Sequence, residues 1–236
     1  MPLPPVSLGQ DGRDAVVKAS GRIPASMRDQ VTTELTGPGF ALFQRELARF
    51  NHHRLEPLLP APGWRAGVRR ECLVLEAERQ FVEAARREIA PLVTDISDTV
   101  DAFIAWFERL RAHGPGQGDP LFPWLASAAS LAQMKWFVEQ EVAGEAGFDD
   151  LLALTQVKIP EQAKLEMARN YWDEMGRGAA KGMHGPMLAR LAAHLDVEPT
   201  PDTVVPEALA LGNMMIALAS NRHYAFIRSA RSASSR

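Results

Sequence analysis

Glu174 and His184 stand on either side of a glycine-rich break in NYWDEMGRGAAKGMHGPM, residues 170–187. A carboxylate oxygen and an imidazole nitrogen brought together are donors that a hard iron ion accepts, and helical bundles assemble such donors from facing helices. The same stretch also reads as an ordinary helix junction, because Gly176 and Gly178 are good helix stops and Pro186 is a good first-turn residue. Which reading holds depends on where the two side chains point.

Placing residues at about 100° intervals around a helix puts Met134, Phe137, Glu141, Glu145, Phe148 and Leu152 on one stripe, and turns Glu139 toward solvent. In the next helical stretch Met167, Ala168, Tyr171 and Met175 form the apolar stripe with Glu174 at its edge, while Glu166, Arg169, Asn170 and Asp173 lie on the polar side. An ionised carboxylate facing an apolar interior costs several kcal/mol unless it is paired, hydrogen-bonded or metal-bound. Glu141, Glu145 and Glu174 therefore each need a partner, and a metal is one answer. Pairing with an inward Arg or Tyr, or a place at the bundle rim, is the other.

His184 is expected just ahead of a helix opened by Pro186, with Gly185 held non-helical by the proline that follows it. The positive end of the helix favours neutral imidazole there, the form that binds metal. A capping or packing role is the competing reading. His52 and His53 read as a solvated helix end, His113 adjoins a Gly-Pro turn, His194 falls in a last helical turn, and His223 is ambiguous.

These residues need helices to carry them, and apolar residues recur at helical spacing over most of the chain, with no internal repeat and almost no period-two alternation. The fold class expected is all-α. Residues 1–40, rich in Pro and Gly, are expected to be mostly irregular apart from a short helix near SMRDQVTTEL. Residues 41–226 form a single helical domain on this reading, and residues 227–236, SARSASSR with its neighbours, form a flexible tail. Helices are expected in GFALFQRELARFNHH, in the run from RRECLVLEA to FERLRAH with a break near Pro91, and from about Phe122 to Thr155 with interruptions at Gly144 and Gly147. Three more are expected in PEQAKLEMARNYWDEM, in PMLARLAAHL, and from about Val205 to Phe226.

Composition excludes several functions. The 236 residues carry a net charge of −3 with 46% hydrophobic residues, so the chain can bury a sizeable core and has no global basic footprint for nucleic acid. One cysteine, Cys72, rules out an internal disulfide and is expected to be a packed core thiol. No apolar run is long enough to span a membrane and the first residues lack the pattern of a signal peptide, so a cytoplasmic location is expected. No serine sits in a GxSxG context, and neither GxGxxG nor GxxxxGK[ST] is present to cradle phosphate.

Over roughly residues 120–226 the chain resembles the iron-containing redox enzyme family, the haem-oxygenase-like diiron oxidases. WFVEQEVAGEAGFDDLLALTQ, KLEMARNYWDEMGRG, KGMHGPML and ALALGNMMIALASNRHYAF carry the resemblance together. It implies a haem-oxygenase-like helical bundle around two non-haem irons, with no haem, that activates dioxygen to oxidise a small organic substrate. It places a metal-binding Glu and His at Glu174 and His184, with Glu145 an accessory carboxylate, and the helical stripe adds Glu141 as a further metal candidate. Some relatives carry a Glu three residues before that His, where this chain has Lys181. The family continues with a further ligand Glu and a His-x3-Asp-x2-His helix, which the ending IRSARSASSR does not show. The resemblance therefore implies a chain lacking the final family helices, inactive by itself, with exposed apolar surface that favours self-association. A non-catalytic helical protein with paired buried carboxylates is the alternative.

Overall fold

The computed structural model describes residues 37–57, 59, 62–93, 99–145 and 147–225. Among these residues the regular structure is helical throughout, as the sequence periodicity predicts. The expectations for the N-terminal segment and for the tail fall on residues 1–36 and 226–236, outside the described residues.

Helices α1 (Pro38–Leu55), α2 (Trp64–Ile89) and α9 (Pro206–Ser220) build the main core. Helix α1 buries Phe40, Phe43, Gln44, Leu47 and Asn51, a stripe at three- and four-residue spacing, and α2 buries Val74, Ala77, Glu78, Phe81 and Val82 in the same pattern. Phe43 and Phe81 meet edge to face with ring centroids 5.8 Å apart. Ala210 and Met214 of α9 pack against this cluster. Cys72 corrects the sequence expectation, for it is exposed. It lies two residues before buried Val74, hence about 200° around the helix and on the outer face.

The break at Pro91 is observed as a short 3-10 turn, Ala90–Val93, after α2. Helix α3 (Val100–His113) begins at Thr99, whose hydroxyl accepts from the Ala102 N–H at 3.3 Å. It buries no residue, and the short α4 (Leu121–Ser127) also buries none. Helix α5 (Leu131–Glu145) then returns to the core, followed by α6 (Phe148–Thr155) after a turn in which Gly147 has φ 85. Helices α7 (Glu161–Glu174) and α8 (His184–Leu195) complete the order before α9.

Helices α5 and α9 meet at Gly144 and Gly212. A Cβ on Gly212 would stand 3.5 Å from the Gly144 carbonyl oxygen and 3.6 Å from that of Ala143, so the two backbones cross closely. The crossing turns Gln140 and Gly144, one helical turn apart, into the interior. Gln140 is buried there, its Oε1 accepting from Val205 N–H at 2.8 Å and its Nε2 donating to the Trp136 carbonyl. That contact satisfies a donor just ahead of α9.

Candidate metal site

Helix α7 ends because Met175 leaves helical geometry and Gly176 takes φ 60. A tight loop follows, with Arg177 and Gly178 also left-handed, and antiparallel pairing of Met175 with Met183 closes it. Further backbone bonds stiffen the loop, among them Gly178 N–H to Met175 O at 3.1 Å and Gly182 N–H to Ala179 O at 2.8 Å. Arg190 of α8 donates to the Lys181 carbonyl at 2.6 Å. Because Met175 and Met183 are paired, the residues just outside them are brought together. Those residues are Glu174 and His184.

Glu174 Oε2 and His184 Nδ1 lie 2.6 Å apart. The carboxylate is 19% exposed and the imidazole 38%, so the pair sits at the edge of the interior and not in its centre. An ionised carboxylate only accepts hydrogen bonds, so the hydrogen bond across this contact is donated by Nδ1–H. Glu166 and Asp173 are exposed, as the helical phase predicts, and pair with Arg169 on α7 and Arg177 in the loop after it. Of the neighbouring acids Asp173 and Glu174, the second is the more buried one.

The helix carrying His184 starts earlier than the sequence suggests. His184 is its first residue and Gly185 is helical, with Pro186 third. The proline restriction fails here for a simple reason: Gly185 has no Cβ to clash with the proline ring, and first-turn N–H groups need no helical acceptor.

Glu141 also corrects the expectation, since it is exposed on α5 and not turned inward. The apolar stripe drawn through Met134 and Phe137 misjudged the phase, because the close Gly144–Gly212 crossing turns Gln140 inward and leaves Glu141 about 100° away. Glu139, expected in solvent, is half-buried. The Glu145 backbone closes α5, but its side chain lies outside the described residues. His223, in the 3-10 turn Arg222–Tyr224, is exposed, as are His52, His53 and His194.

Two acids escaped the sequence reading. Asp149, half-buried in the first turn of α6, places Oδ1 3.7 Å from where a Cβ of Gly185 would stand, next to His184. An acid in a first helical turn reads as a favourable solvated charge, which hid it. Glu78 is fully buried on α2 and pairs with Arg54 of α1 at 2.8 Å. Burial pushes its carboxyl above the usual range, against the lowering effect of Arg54 and Arg79. Among the described residues its Oε1 has no hydrogen-bond partner.

Glu174 and His184 offer the carboxylate oxygen and imidazole nitrogen that iron accepts. Among the described residues, however, no three of His, Cys, Asp and Glu are grouped to hold a metal ion. A dimetal centre in a bundle takes about four carboxylates and two histidines. The pair thus fits part of an iron coordination shell, and the described residues do not by themselves fit the dimetal set.

Comparison with known families bears on the same segment. Residues 135–228 match the iron-containing redox enzyme family. The match begins in α5, takes in Glu174, His184 and Asp149, and runs past the end of α9, so the hydrogen-bonded pair lies inside it. No curated protein and no solved structure matches the chain. Over residues 135–228 the chain is similar to iron-containing redox enzymes, and its described residues are all-α. Among the described residues no helix is long and apolar enough to cross a membrane.

Proposed function

We propose that the chain is built on the plan of a non-haem diiron oxidase that uses dioxygen on a small organic substrate, and that Glu174 and His184 are its iron-binding residues. The observation that carries this reading is the 2.6 Å contact between them across the α7–α8 loop, within the segment matching the iron-containing redox family. Iron would supply the redox chemistry when bound. The protein's part is to bring both donors together at a half-buried position reachable by a small molecule.

Glu145 remains the accessory carboxylate of this proposal, arriving from the end of α5. Exposure removes the geometric argument for Glu141. Among the described residues these donors make less than a full dimetal set, and on this reading a single copy takes up iron with lowered affinity and does not complete oxygen chemistry by itself. We place it in the cytoplasm. Exposed Trp136 and Leu211 give α5 and α9 apolar surface through which copies of the chain self-associate.

Anaerobic titration with Fe(II), followed by rapid mixing with oxygen, tests the proposal. Weak iron uptake that disappears in His184→Ala supports it. Two tightly held irons and a transient visible absorbance would show a complete centre and overturn the incomplete one. Iron uptake identical in wild type and His184→Ala would remove the pair from the site. A second reading, a binding protein whose inward acids are merely paired, is favoured by Glu78, which is buried and ion-paired far in sequence from the matched segment.

A further inference from the structure

The loop that joins Glu174 to His184 contains a backbone crossing. A Cβ on Gly176 would stand 2.4 Å from the Gly182 carbonyl carbon, 2.7 Å from the Met183 nitrogen and 2.8 Å from the Gly182 Cα. No side chain can yield at that point, because every one of those atoms is backbone. From the other strand of the loop, a Cβ on Gly182 would lie 3.3 Å from the Gly176 Cα. Gly176 also has φ 60, which an L side chain rarely adopts. Both glycines are the immediate neighbours, on the loop side, of the paired Met175 and Met183.

Gly178, two residues on, makes an informative contrast. Its φ of 83 is as strained for a side chain, but a Cβ there would meet only the far edge of the exposed Trp172 ring, at 3.0 Å. Left-handed backbone is therefore common to Gly176 and Gly178, whereas close backbone approach belongs to Gly176 and Gly182 alone. Arg177 shows that this loop tolerates a side chain at φ 53.

The geometry points to Gly176 and Gly182 as positioning residues for the metal-site pair: their bare backbones let the chain cross itself tightly enough for Met175 and Met183 to pair, and that pairing sets the Glu174–His184 contact. A methyl group at Gly176 forces the crossing open. The opening is passed directly to the adjacent residues on each strand, because Glu174 and His184 are the next residues outward. Glu174 then no longer holds the Nδ1 proton, and the Nδ1–H preference that the contact sets is lost. The inference rests on the reading of this pair as the site, but its test reads the contact itself and needs no iron.

The experiment is long-range proton–nitrogen NMR of the imidazole in the full chain, treated with chelator and held at alkaline pH, with the His184 signals assigned from His184→Asn. Wild type is expected to show His184 protonated at Nδ1. Gly176→Ala is expected to lose that state, and Gly178→Ala to keep it, which separates crossing from backbone strain. Gly182→Val, which adds bulk at the crossing without a left-handed backbone, is expected to lose it as well and decides the matter if Gly176→Ala does not fold. Retention of the wild-type Nδ1 signal in a folded Gly182→Val or Gly176→Ala overturns the proposal, as does equal loss in Gly178→Ala. A wild-type signal with no Nδ1 preference also overturns it. None of these outcomes depends on the iron titration, so the positioning role and the metal reading fail separately.

Discussion

The junction of α1, α2 and α9 and the loop between α7 and α8 each hold an inward carboxylate opposite a basic partner, but they handle it differently. Glu78 is fully buried and meets Arg54, which is itself mostly buried and also donates to Ser220 Oγ at 3.2 Å. Beside this ion pair on the shared α1 and α9 faces, Asn51 donates to Asn213 Oδ1 and Asn213 donates to Gln44, each at 2.9 Å. These groups join three helices, and the Glu78 carboxylate among them has no exposed surface. Glu174 instead meets His184 at the rim, with part of both side chains reachable from outside. Burial at the first place makes charge a matter of folding, and exposure at the second leaves it available for chemistry.

That contrast can be broken by mutation. Arg54→Ala should have the largest effect, about 3–5 kcal/mol at neutral pH, because it strands a buried carboxylate; urea unfolding measures it. Leu47→Ala, at a fully buried position in the same junction, should cost about 2–5 kcal/mol without any change in pH dependence. At the rim, Glu174→Gln should change folding stability by under about 1 kcal/mol yet reduce iron uptake sharply, a separation that calorimetry and metal analysis together would detect.

Acidity sharpens the comparison further. Glu78 has its folded-state pKa raised above the 4.5 of an ordinary glutamate, chiefly by burial. The folded chain therefore holds the proton more tightly than the unfolded chain, and the stabilisation this provides is complete below pH 4.5 and lost as pH rises through the folded value. Stability of wild type relative to Glu78→Gln should accordingly fall across that window, and the cost of Arg54→Ala should shrink at its acid end. A flat difference would show that Glu78 is more solvated than its position implies. Tyr224→Phe should give the smallest loss, about 1 kcal/mol, by removing the hydroxyl contact with Glu83 that joins the turn after α9 to α2.

Much of the architecture was legible because periodicity reports which face of a helix is apolar. The break at Pro91 and the turn at Gly147 follow from residue type, and the inward bias of Glu174 over Asp173 follows from helical phase, whereas Gly144, expected to interrupt its helix, lies inside α5. Glu141 was misplaced because the phase of α5 is set by a glycine crossing with α9, a contact distant in sequence that leaves no mark on the local pattern. Glu78 was missed because ECLVLEAERQFVEAARREI carries several acids, and only the partner helix shows which one meets Arg54. Cys72 was assigned to the core from the usual habit of its residue type, and position on the helix overrode that habit. His184 was found for a sound reason, its place at a helix entry, although the helix begins at the histidine itself.

The central claim is that the rim pair, and not the buried one, is where this chain meets iron. Crystals of the full chain soaked anaerobically in Fe(II), with data collected on both sides of the iron absorption edge, test it most directly. The account predicts an anomalous peak bonded to His184 and close to Glu174, with none near Glu78. A peak elsewhere with His184 unliganded, or iron coordinated by Glu78, would contradict it.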